Sequence, residues 1–358
     1  MLFGYWAKSR RRWARLTVVA GLLAGGMSAQ LLADEPRTVG SIERLDPGLD
    51  ALVPPDAKME IVIDGLKWCE GPVWVATDGG FVICSDIPPN TLHRWDARSG
   101  AAVYLTPSGY TGSAARGGEA GSNGLTLDRQ GRLLLCQHGD RRVARMDAPL
   151  TAPEPTFVTL ADKYDGKRLN SPNDCIVDSK GVVYFTDPPY GLDGYTDDPG
   201  KQIPGKELDY QGVYRISPSG QITLLTKELE RPNGLALSPD EKSLYVSNSH
   251  PPRPIWMVYP VKDDGTLGDG RLFFDSSKLA AEGRKGMPDG MKIDRQGNLF
   301  AAGPGGILIF TPEGKHLGTL MTGEPTANCA FGEDGSTLYV AANHTLLRIR
   351  LATKGVGF

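Results

Sequence analysis

Six short phrases spaced along the chain each open on an oxygen-bearing side chain: Glu70, Asn123, Asn173, Asn233, Asp289 and Asn328. In most of them a small residue follows, as in Glu70-Gly71-Pro72, Asn123-Gly124-Leu125, Asn233-Gly234-Leu235 and Asp289-Gly290-Met291. Two carboxylates among four amides, with no histidine or cysteine in the set, suit a hard cation such as calcium. Calcium takes about six to eight oxygens from carboxylates, amide carbonyls and water. Zinc would ask for nitrogen or sulfur, and magnesium or manganese are lesser alternatives to calcium.

For side chains this far apart to meet, the fold must bring them to one place. The steps between first residues are 53, 50, 60, 56 and 39, close to the period of propeller blades. A turn signal follows most copies, such as Asp128-Arg129-Gln130-Gly131, Asp178-Ser179-Lys180-Gly181 and Asp294-Arg295-Gln296-Gly297. A second apolar run comes next, for example Leu133-Leu134-Leu135 or Val183-Tyr184-Phe185. Strand, tight turn and strand are thus repeated without the three-and-four spacing of a helix. The pattern predicts an all-β, six-bladed β-propeller over residues 59–351. Equivalent positions of its blades lie on a ring at one end of the central channel. Asn-Gly and Asp-Gly are also common turn dipeptides. Here, however, the turn is already supplied downstream of the phrase, so the first residue is not needed to make the hairpin.

Glu70-Gly71-Pro72-Val73-Trp74, Ser171-Pro172-Asn173-Asp174, Phe185-Thr186-Asp187-Pro188-Pro189-Tyr190-Gly191, Arg231-Pro232-Asn233-Gly234 and Pro288-Asp289-Gly290-Met291 together resemble the senescence marker protein (regucalcin) and gluconolactonase family, closest to its bacterial gluconolactonase branch. The resemblance covers about residues 65–350. It implies a six-bladed propeller, a divalent cation that is usually calcium, and Glu70, Asn173, Asn233 and Asp289 as its ligands. In some members the residue matching Asn173 lies nearer substrate than metal. The implied activity is hydrolysis of a sugar lactone such as gluconolactone. The cation would polarise the carbonyl, and Asp289 would act as ligand and also as base or nucleophile. Two alternatives stay open: a calcium-dependent esterase or phosphotriesterase, and a non-catalytic propeller in which the metal is structural.

Other residues are expected to shape the substrate side of the ring: Asn123 and Asn328 from the ring itself, His138 at the end of a strand as an acid or base, and Tyr190. Residues 107–122, rich in small side chains, are expected to fold over the channel mouth, and residues 190–210 form a second long loop. Arg116 or Tyr190 would donate to substrate hydroxyls. No serine sits in a Gly-x-Ser-x-Gly setting, so a serine-esterase mechanism has no support.

The sequence has 358 residues and a net charge of −3. Lys8 to Arg15 is strongly basic and leads into an apolar run from Leu16 to Ala33, the charge order of an export signal. Ser9-Arg10-Arg11-Arg12-Trp13 also fits a twin-arginine signal loosely. The first 33 residues hold five basic side chains and no acidic one, so their removal takes the net charge to −8. A mildly acidic mature protein lacks the footprint of a nucleic-acid binder. The expected organisation is an export signal over 1–33, an extension over 34–58, the propeller, and a tail over 352–358. The protein would be a periplasmic or secreted monomer with no membrane attachment beyond the signal. Five cysteines show no zinc or redox spacing; Cys84 and Cys136 sit at similar heights in neighbouring blades, but buried free thiols are the expectation.

Overall fold

The computed structural model describes residues 36–196, 198 and 200–358, so the expected export signal lies outside the described residues. Among the described residues six antiparallel blade sheets follow one another in chain order, with a two-stranded hairpin, Lys163–Tyr164 and Lys167–Arg168, between the second and third. The first blade consists of Cys69–Val75, Phe81–Asp86, Thr91–Asp96 and Gly100–Leu105, each hydrogen-bonded to the next. Blades two to four repeat this plan, opening with Ser122–Leu127, Cys175–Val177 and Pro232–Leu237. The fifth opens with Met291–Ile293 and the sixth with Thr326–Gly332.

Each sheet is covered on both faces by its neighbours, which explains the nearly continuous apolar strands such as Leu133–Gln137 and Gly306–Phe310. The core is correspondingly divided into clusters at the blade interfaces. One joins Val75, Phe81 and Ile83 of blade one to Leu125, Leu133 and Leu135 of blade two. Another joins Phe300 and Ile307 of blade five to Cys329, Leu338 and Val340 of blade six.

Blade six closes the ring with strands from both ends of the described chain. Its outer positions are filled by Met59–Ile63, paired with Thr345–Arg350, and then by Thr38–Val39. The segment before residue 59, read from sequence as an extension outside the propeller, therefore belongs to it. After Thr38–Val39 the chain turns at Gly40, φ +73, and Ser41–Arg44 pairs with His316–Met321 at the edge of blade five. Glu43 fixes this strap to blade five through both carboxylate oxygens, which accept from Arg284 at 2.8 and 3.0 Å.

The innermost strands carry the repeated phrases, and their pairing slips there. Register shifts fall between Glu70 and Val73, Ser122 and Leu125, Pro232 and Leu235, and Thr326 and Asn328. Such bulges re-aim a side chain out of the sheet, here toward the channel. The glycine after the first residue serves close approach between blades. A Cβ on Gly71 would lie 2.2 Å from the Asn123 carbonyl oxygen, and one on Gly234 would lie 2.3 Å from that of Asp289.

All five cysteines are free and buried. Cys84 neighbours Cys69 of its own blade, and Cys136 neighbours Cys175 of the blade next door, so Cys84 and Cys136 do not face one another.

Candidate metal centre

The channel end that carries the phrases opens into a cavity of about 310 Å³. Glu70, Asn123, Asn173, Asn233 and Asp289 all line it, and so does Tyr190. Five of the six ring residues are thus brought together, along with one of the expected loop residues. Glu70 and Asn173 are 2% exposed and Asn123 and Asn233 are 5% exposed, while Asp289 keeps part of its surface open to the cavity.

The Asn233 amide is oriented by its neighbours. Ser249 donates its hydroxyl hydrogen to the Pro288 carbonyl, so its oxygen must accept from Asn233 Nδ2 at 2.9 Å. That fixes which end of the Asn233 amide is oxygen. Its Oδ1, with the Oδ1 atoms of Asn123 and Asn173, is buried without a hydrogen-bond donor among the described residues. Buried carbonyl oxygens without donors are rare. Three around one cavity, beside two carboxylates, fit a hard cation.

The carboxylates agree with this reading. Burial and the charge of Asp174 push Glu70 up to about 8, against the Gly71 N–H and Asn328 donors. Asp289 is raised well above the usual carboxylate range by burial and then by the charges of Glu70 and Asp174. Like charges gathered in a low-dielectric floor need a counter-charge to stay ionised together, and a divalent cation supplies it.

His138 is fully buried beside the ring. Its Nε2 lies 3.5 Å from Asn173 Nδ2 and its Nδ1 lies 2.8 Å from Glu119 Oε2. An amide nitrogen can only donate, so this arrangement calls for the tautomer with its proton on Nδ1. His138 does not itself line the cavity; Glu119, carried over the mouth by the loop of residues 107–122, does. Tyr190 packs edge-on against Tyr195, ring centres 5.5 Å apart, and burial raises its phenol so that it remains protonated.

Two expectations change place. Asn328, expected against substrate, is 2% exposed and does not line the cavity; its Nδ2 is held between Glu70 Oε2 and Asp174 Oδ2. Arg116, expected to reach substrate hydroxyls, gives its guanidinium to the carbonyls of Gly139 and Gly191, tying the mouth loop to the ends of two blades. Sequence reading missed Trp68, Glu119, Arg231, Ser249 and Met287, all of which line the cavity. Arg231 opens one of the quoted phrases and Trp68 lies two residues before another, so proximity to the ring was their available signal.

The comparisons with known proteins agree with this architecture. The family description "SMP-30/Gluconolactonase/LRE-like region" matches residues 68–344. A gluconolactonase from Zymomonas mobilis is 42% identical over 323 residues, which is 89% of this chain and 88% of that protein. A solved gluconolactonase from Xanthomonas campestris superposes with a TM-score of 0.74 at 31% identity, covering 88% of this chain and 97% of that one. The calcium-binding protein regucalcin from Agrobacterium tumefaciens shares the fold, with a TM-score of 0.60 at 20% identity over 82% of this chain and 92% of that one. On the match over 68–344 and the identity across most of both chains, the chain belongs to the SMP-30/gluconolactonase/LRE-like family.

Proposed function

We propose that the protein is a metal-dependent lactonase that opens a sugar lactone such as gluconolactone. One observation carries the metal: three buried amide oxygens without donors converge with two carboxylates on the floor of one cavity. The similarity to a gluconolactonase supports the lactone as substrate class. Glu70, Asn173, Asn233 and Asp289 would hold the ion, calcium by the chemistry of its donors. When bound, calcium supplies a positive centre for the lactone carbonyl oxygen and balances the charges of Glu70 and Asp289.

The chain's own residues do the rest. The Gly290 N–H holds Asp289 Oδ1 at 3.0 Å, which leaves Oδ2 to take a proton from the attacking water. The water oxygen bonds to the carbonyl carbon and the ring carbon–oxygen bond breaks. The proton then passes from Asp289 to the departing alkoxide, and an open-chain acid is released. Alternatively Oδ2 attacks the carbonyl carbon itself, the ring carbon–oxygen bond breaks with a solvent proton going to the alkoxide, and water attacks the Asp289 carbon of the resulting mixed anhydride. Single turnover in oxygen-18 water separates the two, labelling the product acid in the first route and Asp289 in the second. Asn123 and Tyr190 face the same cavity and would bind the hydroxyls of the sugar. The basic-then-apolar segment ahead of Asp34 adds export, to periplasm or medium, and the enzyme would act there as a monomer.

The test is proton release from glucono-1,5-lactone by the mature protein, before and after chelation and after adding back calcium, magnesium, manganese or zinc. Loss on chelation, recovery with one of these ions, and loss in Glu70→Gln and Asp289→Asn are expected. A folded, metal-loaded protein that leaves the lactone untouched would overturn the substrate and move esters and phosphotriesters forward.

A further inference from the structure

Asn328 opens the sixth phrase of the ring, yet its amide turns away from the cavity. Its Oδ1 accepts the Cys329 N–H at 2.9 Å, so Nδ2 is the end that faces the channel. That nitrogen lies 3.2 Å from Glu70 Oε2 and 3.4 Å from Asp174 Oδ2. Glu70, Asp174 and Asn328 are each 2% exposed. The amide therefore stands as the hydrogen donor between two buried carboxylates.

The neighbouring phrases are built around this contact. A Cβ on Gly290 would lie 2.0 Å from Asn328 Cγ, so the glycine of blade five makes the space the amide enters. Asp174 occupies the phrase position that holds glycine in blades one, two, four and five, and its Oδ1 is fixed by the Cys175 N–H at 2.9 Å. On Glu70, both Asn328 and the Gly71 N–H act on Oε2. Oε1 is then the atom left for the ring.

We propose that Asn328 is a positioning residue for the metal ring: it holds Glu70 by Oε2, braces on Asp174, and does not touch substrate. Without its donor, Glu70 and Asp174 would face one another at short range with no hydrogen between them, and repulsion would turn Glu70 from the ring. The inference rests on the metal reading of the site.

Asn328→Leu removes the donor at similar volume. Calcium titration of chelator-stripped protein should show a dissociation constant weakened about 10–100-fold, the usual effect of losing a partner that orients a ligand. At saturating calcium the KM for lactone should stay within about twofold of wild type. In the Glu70→Gln background, Asn328→Leu should add less than about threefold, because a residue acting through Glu70 loses its effect when Glu70 is already changed. A raised KM with unchanged calcium affinity would overturn the proposal in favour of a substrate contact. Full additivity with Glu70→Gln would overturn it too. Should the leucine variant fail to fold, Asn328→Ala is read against the same limits. Wild-type protein that takes up no divalent cation would sink the metal reading itself, a failure visible before any variant is measured.

Discussion

Ser249 Oγ accepts a hydrogen bond from Asn233 Nδ2 at 2.9 Å while giving its own hydrogen to the Pro288 carbonyl. One hydroxyl thus fixes the amide of a proposed ligand and the backbone immediately before another, Asp289. Ser249→Ala should weaken calcium binding about 10-fold or more. It should also cost about 1–3 kcal/mol in stability, because a buried donor and a buried acceptor both lose their partner. Calcium titration and thermal melts check the two effects separately.

Asp289→Asn keeps the shape of the floor and the oxygen that accepts the Gly290 N–H, but removes the proton acceptor. Turnover should fall at least about 100-fold even with metal saturating. A near-normal rate at normal metal content would remove Asp289 from the chemistry.

Chelation should stop turnover well before it unfolds the protein, since the blade interfaces are closed by apolar clusters that need no ion. Calcium present at about 100 times its dissociation constant would add about 2.7 kcal/mol of stability. Melting curves with and without chelator, read beside activity, measure this. A chain that unfolds on chelation at room temperature would favour a structural ion.

Asp187 gives the protein a pH dependence away from the ring. It is fully buried; its Oδ2 accepts the Asn170 N–H at 2.8 Å, but Oδ1 has no partner among the described residues, and burial pushes its pKa from 3.8 up to about 7. The folded state therefore holds this proton more tightly than the unfolded state does. Its stabilising contribution is complete below about pH 3.8 and is lost as pH rises through about 7. Asp187→Asn should match wild type near pH 4 and exceed it at pH 8 by an amount on the order of a few kcal/mol. Denaturant melts at the two pH values decide it, and an identical pH slope in both proteins would contradict the assignment.

Arg116→Ala releases the mouth loop from Gly139 and Gly191, and with it Glu119. KM should rise several-fold while calcium affinity holds, because the change leaves the floor of the cavity untouched. Faster cleavage within residues 110–121 by a protease would report the loosened loop.

The ring was legible in the sequence because its members recur at blade spacing and share one chemistry. Glu70, Asn123, Asn173, Asn233 and Asp289 meet as expected. Which way each amide turns was not legible, because that depends on partners from other strands. Asn328 is oriented by Asp174, 154 residues away, and Asn233 by a serine at the end of the neighbouring strand. Glu119 sat in a loop recognised for its small residues, and nothing local marks a loop acid as pointing inward. Thr38–Val39 is only two residues long, too short to show the alternation that reveals a strand.

The sixth sheet is completed by Met59–Ile63 from the start of the propeller and by Thr326–Gly332, Thr337–Ala342 and Thr345–Arg350 from its end. The circle can shut only when synthesis has delivered the last of these, so a nascent chain carries an open seam until Thr345–Arg350 has been made. Moving the termini to a loop between two other blades would put every strand of the sixth sheet on one continuous stretch of chain, and the circle would then close by contact between two complete blades.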